Sequence, residues 1–139
     1  MLEKAHLISK KRNKQRELSS KEAELGHLDR QISQLKEIKV KLVNLKEDVK
    51  AVKKNVKSVV DEKRDYWKGD LKDEWKDNTK NDLIEDGLKA YIDKVDTNLD
   101  EVNIKIMELE NEKYNTEGFI GDLKSGINWL GTQIENLFN

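Results

Sequence analysis

The sequence predicts an all-α fold, a long antiparallel helical hairpin of coiled-coil type. Three observations predict it: no proline in 139 residues, apolar residues three and four apart on both sides of the midpoint, and a Trp-x-Gly interruption between them. Proline would break a long helix, and the three-and-four spacing lays a single apolar stripe along one. Charged residues make up 40% of the chain, hydrophobic ones 35% and aromatics 6%. That apolar supply is thin for a compact globule but enough for a two- to four-helix bundle with a narrow core. Its regular period separates the chain from a disordered one of equal charge.

The first helix is expected over about residues 3–64, or about 90 Å. Its stripe reads Leu25, Leu28, Ile32, Leu35, Ile38, Leu42, Leu45, Val49, Val52, Val56, Val59. Two successive steps of three between Ile32 and Ile38 predict a local phase slip that overwinds the seam. The valines leave room for bulkier partners, with Trp75, Ile84, Leu88 and Tyr91 as candidates. Upstream, Lys10-Lys11-Arg12-Asn13-Lys14-Gln15-Arg16 is a basic cluster. With no aromatic residue interleaved to stack on bases, it reads as a solvated helix face opposite acidic sequence, in preference to a nucleic-acid or lipid contact.

The turn is expected over residues 65–70. Gly69 allows a positive φ at a helix end, Asp70 caps the next helix, and Trp67 packs across the hairpin's end. The second helix is expected over about 70–115, with a stripe through Leu71, Trp75, Ile84, Leu88, Tyr91, Val95, Leu99, Val102, Ile106 and Leu109. Seven polar residues, 76–82, weaken it and suggest a local break or a splayed turn. Beyond the polar run 110–117, Ile120, Leu123, Ile127, Leu130, Ile134 and Leu137 resume in phase with Leu109. Retained phase argues for one continuous helix; the rival is a separate final helix over about 117–137, capped near Asn115 or Thr116. Gly118, Gly121, Gly126 and Gly131 soften this end. Phe119 and Trp129 lie off the stripe, and with Leu123, Ile127, Leu130 and Ile134 they form the candidate partner-binding region. The whole chain, 1–139, reads as a single hairpin domain.

Residues 1–64 carry 18 Lys/Arg against 10 Asp/Glu, a charge of +8, and residues 65–139 carry 9 against 18, a charge of −9. Arms of opposite sign favour folding back, or antiparallel pairing with a second copy that completes a four-helix bundle. Exposed ion pairs contribute about 0.2–1 kcal/mol each, so they set orientation more than stability. Cysteine is absent, and His6 and His27 lack ligand spacing, so neither a thiolate nucleophile nor a metal centre is expected. No phosphate loop, EF-hand or nucleophile elbow occurs. The residues therefore predict a protein that is no enzyme, with no cofactor, no nucleic-acid ligand and no membrane insertion. A cleaved signal peptide is not expected from the opening residues.

A helix, Trp67-Lys68-Gly69 and a second helix, without a signal peptide, resemble the WXG100 superfamily of type VII secretion in Gram-positive bacteria. Trp75, an aromatic six residues after the motif's glycine, is similar to the YwqH-like proteins encoded beside LXG-type toxins. The resemblance implies a helical adaptor or chaperone that binds the helical N-terminal domain of such a toxin, or another small WXG100-like protein. It implies a cytoplasmic protein, or one exported through type VII secretion without a cleaved signal peptide. The family's export signal, Tyr-x-x-x-Asp/Glu, is not matched by Tyr91 or Tyr114, where Val95 and Gly118 stand in the acidic place; Tyr66 and Asp70 fit the spacing inside the bend. A partner would then supply the signal. The alternatives are a homodimeric coiled-coil module, or a secreted WXG100-type effector without a toxin client.

Overall fold

The computed structural model describes residues 2–61 and 70–137. All the described elements are helical, and no strand occurs among them: α1 spans Leu2–Asp61, α2 Asp70–Asn78, a π-helical stretch Thr79–Lys89, and α3 Ala90–Asn136. The chain has the character of a helical hairpin. The expected bend at Trp67 and Gly69 lies outside the described residues, while Asp70 is the first residue of α2.

Two compact units divide the chain, one made by Met1–Leu35 with Lys105–Asn139, the other by Lys36–Ile104. In the first unit Leu28, Ile32 and Leu109 form the core cluster, with Leu35 packed against it. Ile106, Ile120, Leu123 and Leu130 are also buried there, Leu130 most deeply at 1% exposed. With Leu109, Thr116 and the half-buried Lys113 and Ile127, these α3 residues run at steps of three and four, the spacing that keeps one face of a helix turned to an antiparallel neighbour. The antiparallel sense is explicit in the contacts, because Asp29 pairs with Lys113 and Lys21 with Phe119, while Lys14 lies beside Gly126.

The polar run 110–117 does not end the helix; α3 passes through it. Thr116 takes a buried place in the core row, and its hydroxyl donates to the Glu112 carbonyl at 2.9 Å. Bonding back one turn satisfies the hydroxyl inside the helix, where a cap would have used it to start a new one. Gly118 and Gly121 have open space where a Cβ would stand. Gly118→Ala and Gly121→Ala should each therefore stabilise α3 by about 1 kcal/mol, read as a higher urea midpoint with an unchanged slope.

Three expectations need correction. Residues 76–82 neither break nor splay: Asn78 and Ala90, which flank the π stretch, keep helical angles (φ −61°, ψ −46° and φ −61°, ψ −37°). An α-helical path would leave Trp75 and Ile84 on different faces. The wider π turn, with its i→i+5 bonds, brings Trp75, Thr79, Ile84 and Leu88 inward at steps of four, five and four, and Ile84 is 3% exposed. Second, Tyr91 is exposed and Ile92 is buried in its stead, because the inward row of α3 runs Leu88, Ile92, Val95, Leu99. Third, the slip between Ile32 and Ile38 belongs to the apolar pattern and not to the packing. In the second unit the inward positions of α1 are Leu42, Lys46, Val49, Lys53 and Val56, all half-buried at unbroken steps of four and three. Lysine stems lie along the seam with their ammonium groups reaching solvent or a partner, leaving Ile38, Leu45, Val52 and Val59 on the flank.

Candidate functional site

In the second unit the seam has two unlike sides. One is closed by the ion pair of Lys46 with Asp96, 2.5 Å apart. The other carries Ile38, Leu45, Val52 and Val59, a row one heptad apart, exposed by 44, 37, 49 and 50%. By heptad register Tyr91 lies on that same side of α3, and it too is exposed. Such an edge has the pattern of half a coiled-coil groove: apolar at a seven-residue repeat.

The bordering heptad positions of α1 on the open side are Lys41, Asp48 and Asn55, followed at the back by Glu37, Asn44, Ala51 and Ser58. Of the lysines in this stretch, Lys41 borders the open row, while those at 36, 39, 46, 50, 53, 54 and 57 fall on the other side or the back of the helix. Where the row meets the π stretch, Asn55, Val56, Val59, Trp75, Thr79 and Leu83 line an apolar pocket of about 270 Å³.

In the first unit the same asymmetry holds. Lys113 donates to Asp29 at 2.7 Å on one flank. Phe119 lies on the other, 43% exposed, with the Lys21 ammonium 5.2 Å from its ring centroid, within cation–π range. Gly126 lies against the stem of Lys14 and Gly131 beside the ammonium of Lys11. These two members of the basic cluster are half-buried on the inward row, while Lys10, Arg12 and Arg16 are exposed.

The candidate partner-binding residues thus separate. Leu123 and Leu130 are buried in the unit's own core, Ile127 and Ile134 are half-buried, and Phe119 and Trp129 are exposed, Trp129 by 58%. Of the turn-motif residues, Trp75 is half-buried and lines the pocket. Sequence reasoning took Ile38, Leu45, Val52 and Val59 as seam residues. The signal that places them elsewhere is the lysine row 39, 46, 53 on the far side of Leu42 and Val49. Thr79 and Leu83 were not singled out in the sequence, yet they follow Trp75 at steps of four and line the pocket with it.

Hydrogen bonds to Asp96 and Asp29 raise Lys46 and Lys113, respectively, above the usual lysine value of 10.5, with the same carboxylates' charge adding to the effect. A group raised on folding contributes stability in full below its unfolded value, and that contribution is lost as pH climbs through the folded one. Thermal stability should therefore hold to about pH 10 and fall above it. In Lys46→Met with Lys113→Met the alkaline fall should be shallower.

Among the described residues no group of three His, Cys, Asp or Glu could hold a metal ion, no helix is long and apolar enough to cross a membrane, and no buried side-chain nitrogen or oxygen lacks a hydrogen-bond partner. No protein-family model, curated protein or solved structure matches the chain.

Proposed function

We propose that the chain is a non-enzymatic helical adaptor that binds a helical segment of a partner along its open flank. The observation that carries this reading is the row Ile38, Leu45, Val52, Val59, apolar at each heptad and uncovered while the opposite flank is ion-paired. The resemblance of Trp67-Lys68-Gly69 to the WXG100 turn supplies the partner's class: the helical N-terminal domain of an LXG-type toxin. The adaptor would keep that domain soluble by covering its apolar helices and would support its type VII secretion, without a cleaved signal peptide of its own. Trp67 and Gly69 would shape the tip, and Phe119 and Trp129, in the first unit, would offer a docking surface of their own.

A second reading draws on the charge split of +8 and −9 between the halves: a second copy, antiparallel, covers the same row and completes a homodimeric four-helix bundle. Co-expression with the N-terminal domain of a toxin encoded beside the chain separates the two. The adaptor reading expects a complex that co-purifies and contains the toxin domain in stoichiometric amount. A toxin domain that is soluble alone, beside a chain that remains a homodimer, would overturn it.

A further inference from the structure

Resting on the adaptor reading and taking it further, we infer that the pocket at the π stretch anchors one large apolar side chain of a basic amphipathic helix. Eleven residues of π-helix, Thr79–Lys89, far exceed the single widened turn in which this geometry usually occurs, often at functional sites. In this stretch Thr79 and Leu83, at steps of four from Trp75, join Asn55, Val56 and Val59 around an open apolar pocket of about 270 Å³. An apolar cavity of about 150 Å³ accommodates benzene, so phenyl or indole fits. Val59 also ends the open row, so a helix lying along Ile38, Leu45 and Val52 reaches the pocket with its next heptad position. An apolar pocket at the end of an apolar strip is the arrangement that concentrates binding energy in one aromatic residue.

Charge sets the rest of the partner's character. Residues 73–86 of the descending helix carry exposed Asp73, Glu74, Asp77, Asp82, Glu85 and Asp86 against Lys76 and Lys80. On the ascending side, the residue bordering the pocket on the open flank is Asn55, which is uncharged. The stretch that carries Trp75, Thr79 and Leu83 is therefore net acidic, and lysine or arginine at the polar positions of the incoming helix complements it.

The test uses the full chain, isotope-labelled, and two synthetic amphipathic peptides of about three heptads. The peptides share one apolar face with a central Trp; one has lysine and the other glutamate at its polar positions. The lysine peptide should bind saturably and shift Val56, Val59, Leu83 and the Trp75 indole N–H. Replacing its Trp by Ala should weaken it at least tenfold, and the glutamate peptide should bind at least tenfold more weakly. Val56→Phe, which fills the pocket, should abolish the shifts with helicity retained; Leu83→Phe fills it from the other side should the first variant unfold. Equal binding to the filled variants, indifference to the peptide's Trp, or equal binding of the two peptides would overturn the inference. The adaptor reading fails separately. Peptide binding without any toxin complex removes the function and leaves the pocket, and a toxin complex undiminished in Val56→Phe removes the pocket and leaves the function.

Discussion

Leu130→Ala should destabilise the protein by about 3 kcal/mol, the largest single loss expected from any truncation among the described residues. Leu130 is the most completely buried large side chain, 1% exposed, in the row that includes Leu123 and Ile120. Truncation removes its transfer free energy and leaves a void that antiparallel helices, held by the neighbouring residues, fill only in part. Leu137, one heptad on, is 44% exposed, and Leu137→Ala should change stability by no more than about 0.5 kcal/mol. Urea unfolding followed by circular dichroism checks both. Equal losses at the two positions would mean that the final two turns pack differently from the description above.

The second large effect is on binding. Leu45→Glu with Val52→Glu places two carboxylates on the open row, where the free chain leaves them in water, so its stability should change by less than about 1 kcal/mol. In a complex the same carboxylates would be desolvated without partners, at a cost of several kcal/mol. Co-purification of the toxin domain should fall by at least about a hundredfold, the factor that about 2.7 kcal/mol represents. A variant that unfolds on its own would show that these residues belong to the seam. A variant that binds as well as wild type would show that the row is not the contact.

Helical character was legible because proline is absent and the apolar spacing is regular; these two cues suffice for a helix wherever packing comes from one direction. The facing of each apolar residue was less so. The stripe of α1 is broader than its seam, and only the lysines at 39, 46 and 53 mark which edge turns inward. Lysine is commonly read as a surface residue, yet its four-carbon stem packs along a seam as well as a short aliphatic chain does. Tyr91 and Ile92 were exchanged for a related reason: both are apolar enough to hold the position, and the unbroken 4-3 phase from Leu88 decides it. The π stretch was the least legible. A run of polar residues in 76–82 lowers the apolar signal without containing a turn residue that would end a helix, so the chain continues and changes its pitch.

Of the candidate partner-binding residues, Phe119 and Trp129 remain available to another molecule, whereas Leu123 and Leu130 are committed to the unit's own packing. Distinguishing the two sets required burial, because all four are equally apolar in sequence.

The most direct test of the open flank uses the chain's lack of cysteine. Leu45→Cys stands on the open row and Lys50→Cys away from it, and each is labelled with a maleimide in dilute protein, then with the toxin N-terminal domain added. The adaptor account predicts fast labelling at both positions in the free chain, and at least tenfold slower labelling at position 45 alone once the toxin domain is bound. Labelling at position 45 that is already slow in the dilute chain, or that the toxin domain leaves unchanged, would contradict it.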